Sequence, residues 1–87
     1  MIWVVDASYD GDYRISIEFN DGRKGIVDLQ ETIFNDSRPI FVPLREKEFF
    51  RRFRVEMDTV VWDNGLDLAP EFLYDLTSMS ADQRRSA

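Results

Sequence analysis

Apolar and polar residues alternate strictly from Tyr13 to Phe19, which is the clearest pattern in the chain. A period of two predicts a β-strand with one buried face. Asp21 and Gly22 follow, and such a pair supplies the positive φ angles that a tight hairpin turn requires. We therefore predict a hairpin whose return strand runs from Lys24 to Asp28, with Gly25 marking a β-bulge.

Two further segments have the composition of strands. The apolar, β-prone residues from Trp3 to Tyr9 predict an N-terminal strand. A second hairpin is expected to turn near Asp58 and Thr59. Its facing residues are expected to be Val55, Met57, Val60 and Trp62.

Two segments in the middle of the chain have helical spacing. Residues 28–34 predict a short helix that Asp28 caps, because a glutamate stands three residues later. Residues 45–53 predict a second helix. The buried faces of the two helices are expected to contain Leu29, Ile33 and Phe34 in the first and Phe49, Phe50 and Phe53 in the second.

Prolines mark the remaining boundaries. Pro43 keeps the preceding residue out of the helical region, so residues 40–44 are predicted to be extended. Pro70 is tolerated in a first helical turn and predicts a last helix that buries Phe72, Leu73 and Leu76. Residues 78–87 are small and polar, and they predict a flexible tail.

In the order βββααββα, these elements predict a single α+β domain over residues 1–77. The two hairpins and the N-terminal strand are expected to form one antiparallel sheet, with the helices on one face. The expected central core residues are Val4, Ile15, Ile17, Phe19, Val27, Phe49, Phe53, Val61, Trp62, Phe72 and Leu73.

The composition limits the chemistry that the domain can perform. Its 87 residues include no cysteine and no histidine, which excludes disulfides, thiol nucleophiles and imidazole bases or metal ligands. The serines and threonines have no histidine to activate them. We therefore expect a non-enzymatic protein without a cofactor.

The net charge favours some partners over others. With 17 acidic and 11 basic residues, the formal charge is −6, which repels phosphate backbones and suits a basic protein partner. No stretch approaches the roughly 20 apolar residues that cross a bilayer. The N-terminal residues also lack the features of a signal peptide. The expected location is the cytoplasm, without membrane contact.

Four blocks of sequence resemble a known family in their order and spacing. They are Phe19-Asn20-Asp21-Gly22-Arg23, Val27-Asp28-Leu29, Phe41-Val42-Pro43-Leu44, and the long block from Val61 to Tyr74. Over residues 4–74 the chain resembles the bacterial domain-of-unknown-function family numbered 2442.

The resemblance implies a small α+β unit without an established catalytic residue. It also implies a partner encoded by a neighbouring gene, in an arrangement like a toxin–antitoxin pair. Some members of the family carry a helix-turn-helix unit after this domain, and residues 78–87 are too few to form one.

Carboxylates gather late in the chain, at Asp63, Asp67 and Glu71. Their oxygens are ligands that Ca²⁺ or Mg²⁺ prefers, although the spacing differs from that of an EF-hand. We favour a structural interpretation, in which Asn64 and Gly65 form a turn, Asp67 caps the last helix and Glu71 complements its dipole. Together with Asp28, Asp63 and Asp67 would form an acid/base pair only in a desolvated cleft.

Basic and aromatic residues interleave between residues 45 and 54, where Arg51, Arg52 and Arg54 are candidates for contact with RNA or another partner. Nearby glutamates dilute this charge, and a buried aromatic stripe with basic flanks explains the pattern equally well. We predict that Trp62 is a core residue whose indole N–H donates to a backbone carbonyl.

Two hypotheses of different class remain open. The first is a non-catalytic protein-interaction or regulatory module, the acidic partner in a two-gene pair. Its candidate surface is a sheet edge, which suits strand addition or homodimerisation. The second is a carboxylate-dependent enzyme, or a domain that binds a metal or small ligand, with its site near Asp63 and Asp67.

Overall fold

A three-stranded antiparallel sheet forms one half of the fold in this computed structural model, which describes residues 1–77. Its strands are β1 (Val4–Tyr9), β2 (Arg14–Phe19) and β3 (Lys24–Asp28), with β2 in the centre. The alternating residues of β2 have one buried face, as predicted. The tail predicted for residues 78–87 lies outside the described residues.

The β2–β3 hairpin forms as expected, with Glu18 paired with Lys24, but of the Asp21-Gly22 pair only Gly22 has a positive φ, at 90°. The expected bulge at Gly25 is wrong, because Gly25 pairs in regular register with Ile17. The irregularity lies instead in β1, between Val4 and Asp6.

A second hairpin consists of β4 (Arg54–Glu56) and β5 (Thr59–Val61), in which Val55 pairs with Val60. Its turn consists of Met57 and Asp58, with φ angles of 50° and 69°. Positive φ at both central residues is the pattern of a type I′ turn, whose twist suits a two-residue hairpin. Met57 therefore lies in the turn, and the prediction that it faces the opposite strand is wrong.

The predicted α+β fold is confirmed, but the hairpins form two sheets rather than one. The second hairpin lies beside β1, where the Val4 N–H donates to the Asp58 carbonyl over 2.9 Å. At the other end of β1, the ring of Tyr9 lies 6.2 Å from that of Phe50.

The middle of the chain consists of three short helices. Helix α1 spans Gln30–Asn35, a 3-10 helix spans Pro39–Arg45, and helix α2 spans only Lys47–Phe50. Asp28 accepts a hydrogen bond from the Gln30 N–H over 3.0 Å and so stabilises the start of α1, although Leu29 holds the capping position.

Two predictions for this region are wrong. Residues 40–44 are not extended but lie in the 3-10 helix, where Pro39 occupies the first turn and the Phe41 N–H donates to the Arg38 carbonyl over 3.1 Å. The helix predicted over residues 45–53 is a single turn, because the chain leaves the helical conformation after Phe50 and enters β4 at Arg54.

The last helix, α3, covers residues 70–77 in the described part of the chain and begins at the predicted proline. Its Leu73 is fully buried, whereas Phe72 is 38% exposed. No helix within residues 1–77 is both long and apolar enough to cross a membrane.

The core confirms seven of the expected central residues: Val4, Ile15, Ile17, Phe19, Val27, Trp62 and Leu73. The prediction is wrong for Phe49, Phe53, Val61 and Phe72, which are half-buried or exposed. Phe34, which was expected to share a helix face with Leu29 and Ile33, is 46% exposed. Leu29, Ile33 and Phe50 are buried, as expected of their helix faces, and the core also contains apolar residues that were not expected there: Tyr13, Phe41, Leu44, Val60, Leu66 and Leu68.

Close packing of α3 on the sheet explains Gly25. A Cβ at this position would collide with Thr77 Cγ2, while it would lie 3.5 Å from Thr77 Cβ. We expect Gly25→Ala to lower the free energy of unfolding by about 1–3 kcal/mol, as overpacked sites do.

Adding Thr77→Ser removes the colliding methyl group and keeps the hydroxyl that donates to the Leu73 carbonyl over 2.9 Å. The double variant should therefore be more stable than Gly25→Ala alone in urea denaturation. Equal stabilities would show that the methyl contact does not limit this position.

Tyr74 fastens α3 to the β2–β3 hairpin. Its hydroxyl donates to Asp21 Oδ2 over 2.6 Å, and the Arg23 guanidinium lies 4.6 Å from its ring. The Tyr74 hydroxyl, followed by the Arg23 N–H, lowers the pKa of Asp21 from its usual 3.8. The same bond raises the pKa of Tyr74 above 10.0.

A carboxyl whose pKa is lowered in the folded state stabilises the fold at pH values above its pKa in the unfolded state. This contribution is lost as the pH falls through the pKa of the folded state. We therefore expect Tyr74→Phe to lower Tm at neutral pH. The difference in Tm between the parent and the variant should narrow below pH 3.8. NMR titration should show the pKa of Asp21 rising towards 3.8 in the variant.

Tyr9→Phe is the control, because the Tyr9 hydroxyl donates to the Asp12 backbone carbonyl and not to a carboxylate. It should leave the pKa of Asp21 unchanged. A parallel shift in both variants would contradict the assignment.

Candidate functional site

A surface groove of about 470 Å³, which we call the hairpin groove, lies along the second hairpin. Its lining residues are Arg54, Glu56, Met57, Thr59, Val61, Trp62, Asp63, Gly65 and Asp67. They include both aspartates that the sequence suggested as ligands and one of the suggested arginines.

The turn after β5 forms one wall of the groove. The Trp62 N–H donates to the Leu66 carbonyl over 2.9 Å, and Gly65 supplies the positive φ of 92°. Asn64 Oδ1 accepts from the Leu66 N–H, while its Nδ2 donates to the Ile40 carbonyl over 2.8 Å. The predicted Asn64-Gly65 turn is confirmed, and it is tied to the 3-10 helix.

Trp62 joins the groove to the core. The residue is 2% exposed, and its indole N–H donates to the Phe50 carbonyl over 2.8 Å. Its ring centre lies 5.8 Å from that of Phe50 and 6.2 Å from that of Phe53. The prediction that Trp62 is a core residue is confirmed.

The structure brings Asp63 and Asp67 to one groove and leaves Glu71 and Asp28 outside it. Asp63 forms an ion pair with Arg54, and Asp67 lines the same groove without an ion pair among residues 1–77. Glu71 lies in the first turn of α3, and Asp28 lies at the end of β3. No group of three or more acidic residues in the described part of the chain could hold a metal ion.

The predicted cap at Asp67 is wrong. Asp67 forms a β-bridge with Val61, and α3 begins only at residue 70. The backbone of Asp67 therefore extends the second hairpin, because the Leu68 N–H then donates to the Val60 carbonyl over 3.3 Å.

The three candidate arginines do not form a common basic surface. Arg51 pairs with Glu48 over 3.5 Å, and its guanidinium lies 5.8 Å from the Tyr9 ring centre. Arg54 pairs with both Glu56 and Asp63, which in that order raise its pKa. Arg52 is exposed in the turn after α2. Acidic neighbours thus offset much of the positive charge.

Sequence reasoning missed Met57, which is 94% exposed at the tip of the hairpin. The turn was expected one residue later, near Asp58 and Thr59, so Met57 was placed at the end of the preceding strand. Beside Met57, the groove carries three carboxylates, on Glu56, Asp63 and Asp67, against the single guanidinium of Arg54.

This arrangement is suited to recognition. The two aspartates of the groove are exposed to solvent. Among residues 1–77, every buried side-chain nitrogen or oxygen has a hydrogen-bond partner within the protein. The groove combines exposed apolar surface with excess negative charge.

Removing the Trp62 ring should unfold the domain, because large-to-small changes of buried aromatics cost about 3–5 kcal/mol and a small domain has little more to lose. We expect Trp62→Ala to lose cooperative thermal unfolding in circular dichroism. Trp62→Phe keeps most of the volume but leaves the Phe50 carbonyl without its donor, so it should remain folded with a lower Tm. A Trp62→Ala protein that melted like the parent would show that the indole does not hold the core.

Comparison with solved structures finds a similar fold in a putative DNA-binding protein, NE0471 from Nitrosomonas europaea. The TM-score is 0.77, with 18% sequence identity over 94% of this chain. The chain spans about half of that protein, 52% of its length, and the likeness shows the fold alone. No curated protein matches the chain. The model of a family described as proteins of unknown function, DUF2442, matches residues 4–77, and the chain belongs to that family.

Proposed function

We propose that the chain is a non-catalytic protein-interaction module of the cytoplasm, and that the hairpin groove binds a basic segment of a protein partner. The observation that carries this proposal is Met57. Its side chain is 94% exposed, and its backbone has a φ of 50°.

Neither burial nor backbone preference accounts for a methionine at this position. Type I′ turns favour asparagine, aspartate and glycine, and positive φ is uncommon for other residues. An exposed thioether contributes little to the core. Methionine is, however, an adaptable contact residue at binding surfaces. The hairpin needs the positive φ but not a methionine side chain, and an unfavourable residue at such a position points towards function.

Charge supports a basic partner. Arg54 pairs with two carboxylates, on Glu56 and Asp63, and Asp67 adds a third negative charge to the same groove. The whole chain carries −6, which would steer a positively charged protein towards it. These features fit the acidic member of a two-gene pair whose partner is encoded next to it.

The alternative is a carboxylate-dependent enzyme or a binder of a small ligand. It is favoured by one observation, that Asp63 and Asp67 line the same groove. Arg54 already engages Asp63, however, and both acids are exposed. The sequence also offers no histidine or cysteine to work with them. Recognition therefore accounts for the groove better than catalysis.

DNA is a weaker candidate partner, although NE0471 is described as a putative DNA-binding protein. Two of the three candidate arginines are held by acidic side chains, and the net charge opposes a phosphate backbone. A protein partner of opposite charge meets neither obstacle.

The test uses the product of the gene adjacent to the one that encodes this chain. We expect it to bind in calorimetric titration. Met57→Asn should weaken this binding about tenfold, or 1.4 kcal/mol. Its Tm should stay equal or rise, because asparagine tolerates positive φ.

A matched pair of charge variants completes the test. Asp67→Lys should weaken binding by a similar factor. Glu31→Lys makes the same change of charge on the exposed surface of α1 and should bind like the parent. If the adjacent gene product does not bind, or if Met57→Asn and Asp67→Lys both bind it as tightly as the parent does, the proposal is wrong.

A further inference from the structure

Strand β3 forms the outer edge of the three-stranded sheet. It pairs with β2 on one side, and no other strand among residues 1–77 pairs with it on the other. Lys24 and Asp28 at its ends are exposed, and Ile26 between them is half-buried. The surface is separate from the hairpin groove, because β2 and β1 lie between them.

The direction of the backbone groups at this edge follows from the ladder. At its two ends, the Leu29 N–H donates to the Tyr13 carbonyl and the Phe19 N–H to the Arg23 carbonyl, each over 2.9 Å. Hydrogen-bonded pairs alternate with non-bonded pairs in an antiparallel ladder. Odd-numbered residues of β3 therefore bond to β2, and Lys24, Ile26 and Asp28 direct their N–H and C=O groups outward.

The sequence of this edge is complementary to itself. When two copies of β3 run antiparallel about a two-fold axis at Ile26, Lys24 of one copy lies opposite Asp28 of the other. Ile26 then lies opposite its own equivalent. Each of these opposed pairs involves residues with outward backbone groups, so each can exchange two backbone hydrogen bonds.

The complementarity extends to β2. In β2, Arg14 is the cross-strand neighbour of Asp28, and Glu18 is the neighbour of Lys24. Across the joined sheets, one row of side chains would therefore read Arg14, Asp28, Lys24, Glu18, with alternating charge. Opposite charges on facing strand positions stabilise a sheet, whereas like charges destabilise it.

The edge also lacks the usual protection against pairing. Exposed edges are commonly blocked by a proline, by a bulge or by a lysine that would face no carboxylate on a second strand. Residues 24–28 contain no proline, their register with β2 is regular, and the one lysine would meet an aspartate.

We propose that the chain forms a two-fold symmetric homodimer, in which β3 of one copy pairs antiparallel with β3 of a second copy around Ile26. The two three-stranded sheets then join into one sheet of six strands. Two copies of one surface meet, as closed two-fold symmetry requires. Both hairpin grooves remain accessible, because each lies beyond β1 of its own copy.

Sedimentation equilibrium of the full chain tests the dimer. Ile26→Lys places like charges opposite each other on the two-fold axis. The dissociation constant of the dimer should therefore rise at least about tenfold. Ile26→Thr keeps a β-branched residue and serves as the control, with a dissociation constant within about threefold of the parent. A parent that stays monomeric up to about 1 mM, or an Ile26→Lys protein that dimerises like the parent, overturns the proposal.

Charge reversal tests the register itself. Lys24→Glu and Asp28→Lys should each self-associate poorly, because like charges would then face each other at both ends of the strand. When mixed, the two variants should form a heterodimer, because every facing pair is again of opposite sign. Circular dichroism shows whether each variant is folded, and sedimentation shows whether the mixture forms a heterodimer. If both variants are folded and do not pair, this register is wrong. If Asp28→Lys unfolds through loss of its bond to Gln30, the Ile26 variants alone decide.

Discussion

The contact between the Trp62 indole and the Phe50 carbonyl is the constraint on which the rest of the fold depends. A one-turn helix such as α2 is not stable by itself, since nucleation costs more than a few hydrogen bonds return. The middle segment is therefore held by its side chains, with Phe50 and Trp62 packed together in the core. Because Trp62 also begins the turn beside the groove, the anchor of the fold and a wall of the site are one residue.

The sequence predicted the elements that carry local signals and failed where packing decides. The alternation of β2, the Asp21-Gly22 turn and the start of α3 each follow from a few neighbouring residues. Residues 39–50 form two short helices that have too little periodicity to recognise, and tertiary contacts fix them. Gly25 was recognised as unusual for the wrong reason, since its cause is Thr77, far away in sequence.

The sequence predicted which residues belong to the site but not how the fold brings them together. Asp63, Asp67 and Arg54 were each candidates, yet no spacing rule indicated that they would line one groove. They meet because β4 and β5 pair, and because the turn after Trp62 leads back to the bridge between Asp67 and Val61. Met57 escaped prediction because hydrophobic residues are expected to be buried, and a turn tip is where that expectation fails.

The proposed dimer interface at β3 and the hairpin groove would act together in binding a partner. Pairing through β3 would place two hairpin grooves on one particle, with a fixed separation set by the joined sheets. A partner that is itself dimeric, or that repeats its basic segment, would then bind its second site at a high effective concentration. A shallow, solvent-exposed groove gives modest affinity for a single segment, because surface ion pairs contribute little. Symmetric duplication would raise overall affinity without a deeper pocket, which a core of this size has little room to provide.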